Sequence, residues 1–215
     1  MSVFPNAAKG VKKIFVAEIM ALIGAILLGT GIVFGIDGLF GEVVWMEIVS
    51  IVFIFGSAVL LLIAYINNMV GLGQASRDDQ GYKVALWMMI ISMILSILFT
   101  IFEGLATTYL IMNMFCTSAL FLANLLEMFS ILVAIRTTEK LLVLKGDALL
   151  AATGEASVFL MIVPFLITAL LRIITIFTPN FIDMILSIAA TVIVTFGYIM
   201  YLSFLSAARI RLAGE

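Results

Sequence analysis

The stretch at residues 71–83 reads GLGQASRDDQGYK, and it is the clearest polar interruption between long apolar segments. Residues 48–76 carry no charge, and neither do residues 84–102 on its other side. Gly71 and Gly73 are expected to stop one helix, and Asp78 or Asp79 to cap the next. The stretch therefore predicts a helix-to-helix connector between two apolar helices.

Uncharged runs of similar length recur at 19–36, 104–126, 156–171 and 184–208. A helix needs about 20 mostly apolar residues to cross hydrocarbon, where only internal hydrogen bonding satisfies the backbone. Membrane strands would instead show short alternating segments, and these runs do not alternate. Composition agrees: 65% of the 215 residues are apolar and 11% charged, with mean hydropathy +1.32. A soluble domain carries about 25% charged residues, so this inventory cannot build a water-facing surface. The predicted fold class is all-α, a six-helix transmembrane bundle of three hairpins forming a single domain over 1–215. Its helices are expected at 14–36, 44–70, 80–102, 112–144, 148–177 and 179–209.

Local signals set those ends. The first apolar segment is too long for a secretory signal and no A-x-A-like site follows it, so a retained anchor is expected. Trp45 and Tyr65 suit the two ends of a span. Lys145-Gly146-Asp147 predicts a stop followed by a new cap, and Pro164 a kink. Thr178-Pro179-Asn180 predicts the last helix start, with Asp183 in its first turn.

Orientation follows from charge. Ten of the eleven Lys and Arg lie in the two tails and in the connectors holding Arg77 and Lys83 or Arg136, Lys140 and Lys145. The other three connectors hold Asp37, Glu42, Glu47, Glu103 and Asp183 but no cation. The positive-inside rule then predicts that both termini are cytoplasmic and that the number of spans is even, six.

The remaining charges lie where lipid should be, at a cost of about 2.5–3.5 kcal/mol each at the bilayer centre. Glu103 and Arg172 are expected at similar depth and to pair. Asn113, Thr117, Asn124 and Glu127 share one arc of the fourth helix, with Cys116 at its margin. Ala85, Ser92, Ser96 and Glu103 share an arc of the third, and Ser187, Thr191, Thr195 and Tyr198 an arc of the sixth. Such stripes serve first as hydrogen-bonding glue between helices. Glu127 stands out, because no cation precedes Arg136 on its helix; it is expected to hold a proton or to meet a bound cation. Glu18, four residues into its predicted helix, is expected to be interfacial and solvated.

Several functions are disfavoured. The chain has no histidine, one cysteine (Cys116), net charge −2 and a pI of about 5.1. Nothing points to nucleic acid, a disulfide framework, a cofactor or a metal site. H-E-x-x-H, G-x-S-x-G and phosphate-cradling motifs are missing, so no enzyme is predicted. An accessory or solute-handling membrane bundle, in contact with membrane lipid, is the first expectation.

The alternative comes from the first helix, where Ala17, Ala21, Ala25 and Gly29 recur every four residues, a spacing that packs helices closely or docks a partner subunit. The segment KKIFVAEIMALIGA at residues 12–25 resembles the first helix of the substrate-binding components of energy-coupling-factor vitamin transporters. That resemblance covers about a tenth of the chain and carries no vitamin-specific motif. It implies a six-helix transporter component that docks a coupling subunit through Ala17, Ala21 and Ala25; the polar stripes, read separately, would place Glu127 in its site. The chain as a whole, ASRDDQGYK in particular, resembles uncharacterised multi-pass proteins of bacterial cytoplasmic membranes, which implies no activity.

Overall fold

The computed structural model describes residues 4–41, 44–105, 110–174 and 180–214. Within them the chain forms six helices and no strand: α1 (Pro5–Gly41), α2 (Val44–Ala75), α3 (Gln80–Leu105), α4 (Leu110–Leu144), α5 (Ala148–Ile174) and α6 (Asn180–Ala213). Four are long and apolar enough to cross a membrane over Pro5–Ile36, Val44–Ala75, Gln80–Phe102 and Ser118–Leu144. The chain exposes 12891 Å², against about 9,700 Å² for a globular soluble protein of its mass. Much of the excess is large and apolar, Ile26, Ile32, Phe55, Ile97 and Phe159 among it. Water would not tolerate such a surface, and hydrocarbon would.

The helix ends are set by polar groups acting across the chain. α1 begins at Pro5, nine residues before the predicted position 14, because the next backbone amides find an acceptor. Asn6 and Ala7 both donate their N–H to Asp78 Oδ2, at 2.8 and 2.7 Å, and the Asn6 side-chain amide donates to Asp78 Oδ1 at 2.8 Å. Pro5 has no N–H to satisfy, so a carboxylate 71 residues from Ala7 caps this end. Asp79 takes the expected role, accepting the Gly81 N–H at 2.8 Å to cap α3. α4 stops where the sequence predicts: Gly146 has φ 88°, with Gly146 N–H donating to Val143 O and Asp147 N–H to Leu142 O. Asp147 Oδ1 then accepts the Leu150 N–H and opens α5.

Gly71 and Gly73 do not stop α2, which continues to Ala75. A Cβ on Gly71 would lie 2.8 Å from Gly10 O, and one on Gly10 would lie 2.5 Å from Gly71 O. These glycines let two backbones cross. Gly24 likewise faces Ser57 and Leu61, Gly31 faces Ile54, and Gly35 faces Ser50. The small residues Gly10, Ala17, Gly24 and Gly31 thus recur every seven positions along α1, and Ser50, Ser57, Ala64 and Gly71 do so on α2. Seven is the repeat that keeps one stripe against a partner when helices wrap left-handedly.

α3 and α4 use the same spacing with hydrogen bonds added. Ser92 Oγ donates to Ala123 O at 2.8 Å, and Ser130 Oγ to Ala85 O at 2.7 Å. On α5 and α6, Gly197 admits the backbone of Leu160, and Gly154 admits Phe204 and Glu139. Three antiparallel pairs result, and α6 returns to pack on α1. The buried core, including Val11, Leu72, Tyr82, Ile135, Leu142, Tyr201 and Phe204, gathers toward the end that holds residues 76–79 and 145–147.

Candidate functional site

Glu18 is 7% exposed, so its predicted solvated, interfacial setting is incorrect. The earlier start of α1 accounts for this: Glu18 lies thirteen residues beyond Pro5, about 20 Å along the helix. Its carboxyl oxygens are held from two other helices. Asn68 Nδ2 on α2 donates to Oε1 at 3.1 Å, and the Tyr198 hydroxyl on α6 donates to Oε2 at 2.8 Å. Tyr201, one turn beyond Tyr198 on the same helix, is fully buried.

The Tyr198 hydroxyl also lies 2.9 Å from the backbone carbonyl of Glu18. A phenol has one proton, so it cannot donate to both acceptors at once. With the carboxyl ionised, the proton serves Oε2. With the carboxyl protonated, Glu18 donates to the phenol oxygen and the phenol donates to the carbonyl. The same atoms therefore accommodate either state without moving.

Glu127 on α4 is half-buried. Tyr65 donates to Met89 O at 2.7 Å, tying α2 to α3. Among the described residues no Lys or Arg forms an ion pair with Glu18 or Glu127. The Glu18 carboxyl of α1 thus meets an amide from α2 and a phenol from α6 away from solvent.

The rest of the predicted arc behaves differently. Cys116 is buried, with Ala123 and Ser130, on the face that meets α3, whereas Asn124 is exposed. The side chains of Asn113 and Thr117 lie outside the described residues, as do those of Glu103 and Arg172 with their expected pairing. Of the four-residue ridge, Ala17 is buried, Ala21 is half-buried, and Ala25 and Gly29 are exposed. The α1 stripe that packs inward is the seven-residue one.

Sequence reasoning misses Tyr201 and Asn68. Tyr198 and Tyr201, three apart, share a helix face, and that spacing is the available signal. What it lacks is the partner, which only the return of α6 onto α1 supplies. In comparisons with protein families, curated proteins and solved structures, no match to the chain was found.

A second polar group lies at the end of the molecule near residues 76–79. Lys140 Nζ donates to Asp79 Oδ2 at 2.6 Å, and the Arg136 guanidinium bridges Glu139 and Glu155 at 3.0 and 3.3 Å. The Lys140 ammonium holds the Asp79 carboxyl below the usual carboxylate range. Asp79, Arg136 and Lys140 line an open cleft of about 380 Å³ with Leu132, Val133 and Thr137, and their charges are paired with one another or with Glu139 and Glu155.

Proposed function

We propose that the chain is a six-span integral protein of a bacterial cytoplasmic membrane, both termini cytoplasmic, that handles a cation or a proton at Glu18 and Glu127. One observation carries this reading. The Glu18 carboxyl is buried between α1, α2 and α6, Glu127 is half-buried on α4, and neither forms an ion pair among the described residues. Ionisable groups inside a membrane are costly, and they persist where an ion or proton path uses them. The phenol of Tyr198 and the amide of Asn68 supply the directional contacts that hold the Glu18 carboxyl in place.

The test is heat stability of the purified protein against monovalent metal ions and against primary and quaternary amines. A ligand at about one hundred times its Kd adds about 2.7 kcal/mol. The reading expects one cation class to stabilise, with the shift lost in Glu18→Gln and in Glu127→Gln. Calorimetry in buffers of different ionisation heat should show a proton leaving as the cation enters. A panel without any shift, together with proton exchange identical in both variants, would sink it.

A transporter-component reading keeps the exposed part of the ridge, Ala25 and Gly29, as a docking face for a partner subunit. Space beside Gly29 is open, with no atom within 4 Å of a Cβ placed there. Co-purification of an ATPase complex that is lost in Ala25→Leu with Gly29→Leu would support it. Co-purification indifferent to both changes would count against it.

A further inference from the structure

Lys9, Lys12, Lys13 and Arg209 gather where α1 begins and α6 finishes. Lys9 and Lys12 line two open clefts, one on each side of α1. The cleft toward α6 has a volume of about 340 Å³ and is completed by Arg209, Ile210 and Ala213. The cleft toward α2, about 360 Å³, is completed by Lys13, Val16, Asn67 and Gln74.

Among the described residues no carboxylate pairs with these cations. The carboxylates that form ion pairs there serve Arg136, Lys140 and Arg211. Asp78, close to the start of α1, is committed to the Asn6 and Ala7 amides. Arg209 stacks on Phe15 with its guanidinium carbon 4.3 Å from the ring centroid, which positions the charge without cancelling it. The clefts also have apolar walls. Val16, one turn from Lys12 toward the apolar body of α1, is 43% exposed, and Ile210 is 45% exposed.

We infer that these two clefts bind the phosphate of an anionic lipid headgroup, the lysines and Arg209 meeting the phosphate and Val16 and Ile210 lying against the apolar part of the lipid. A free phosphate ion would use the cations and leave the apolar walls uncovered. Cations placed at a membrane surface each contribute attraction toward anionic lipid, and long basic side chains reach the headgroups from a helix end. The inference rests on the membrane reading and is independent of the carboxyl site.

The experiment places the protein in nanodiscs of equimolar phosphatidylglycerol and phosphatidylcholine and weighs, by native mass spectrometry, the lipid it retains on release. Phosphatidylglycerol should be enriched, with the enrichment falling roughly fivefold for each cation removed across Lys9→Gln, Lys12→Gln and Arg209→Gln. Arg77→Gln with Lys83→Gln removes two other exposed cations and should leave it unchanged. The single substitutions serve if the combined variant does not incorporate. Equal retention of both lipids, or equal loss in the control, overturns the inference while leaving the membrane reading standing. Displacement of lipid by millimolar inorganic phosphate reassigns the clefts to a soluble anion and also overturns it. A protein that never enters the nanodisc sinks both.

Discussion

Asp78 and Asp79 are adjacent in the chain and serve different helices, which gives each its own consequence on replacement. Asp78 accepts the first two free amides of α1, so Asp78→Ala should cost about 1–2 kcal/mol, the upper range for a lost cap. Thermal unfolding in detergent, with hydrogen exchange at Asn6 and Ala7, measures it; Arg77→Ala, on an exposed neighbour, should change neither. Asp79 is held below its ordinary range, chiefly by the Lys140 hydrogen bond. Its folded pKa is lower than its unfolded one, so its contribution is complete above the unfolded value and fades as pH falls through the folded value. Lys140 is largely exposed, which limits that contribution to below about 1 kcal/mol. Lys140→Met should shift the onset of acid-induced loss to higher pH. Superimposable acid curves for the two proteins would show that the pair contributes nothing.

At the scale of the element, the deciding feature is which small residues face a neighbour. Gly10→Ala and Gly71→Ala each push a methyl group into a facing backbone oxygen, at 2.5 and 2.8 Å, and should cost about 1–3 kcal/mol by overpacking. Gly29→Ala meets open space and should stabilise by about 0.5–1 kcal/mol, the usual gain within a helix. The reverse ranking in thermal unfolding would mean that the four-residue ridge, and not the seven-residue stripe, packs on α2. Ser92→Ala and Ser130→Ala each remove one hydrogen bond from α3 and α4, and about 0.6 kcal/mol is expected for either. The seven-residue stripes are legible in the amino-acid sequence as Gly, Ala and Ser at period seven. The overlapping ridge at Ala17, Ala21, Ala25 and Gly29 obscures them, because Ala17 belongs to both.

For the molecule as a whole, the orientation of the bundle is open to direct measurement. Cys116 is the one cysteine and is buried, so Cys116→Ser gives a clean background for labelling. An impermeant maleimide should reach Arg77→Cys and Lys145→Cys only from the cytoplasmic face, and Asp37→Cys only from the other. Labelling of all three from one side would overturn the six-span arrangement.

The sequence by itself determined the helical class, the presence of long apolar helices and the starts of α2, α3 and α5. Backbone satisfaction in hydrocarbon leaves few options, and Gly146, Asp79 and Asp147 act on residues a few positions away. It also marked Glu127 as a charge in an apolar setting. Only the tertiary structure decided that α1 starts at Pro5, since the capping carboxylate arrives from Asp78. Only it decided, too, that Glu18 is a buried partner of Asn68 and Tyr198. Both depend on groups distant in the chain that meet through helix crossings, and no local propensity or spacing encodes which distant group will arrive.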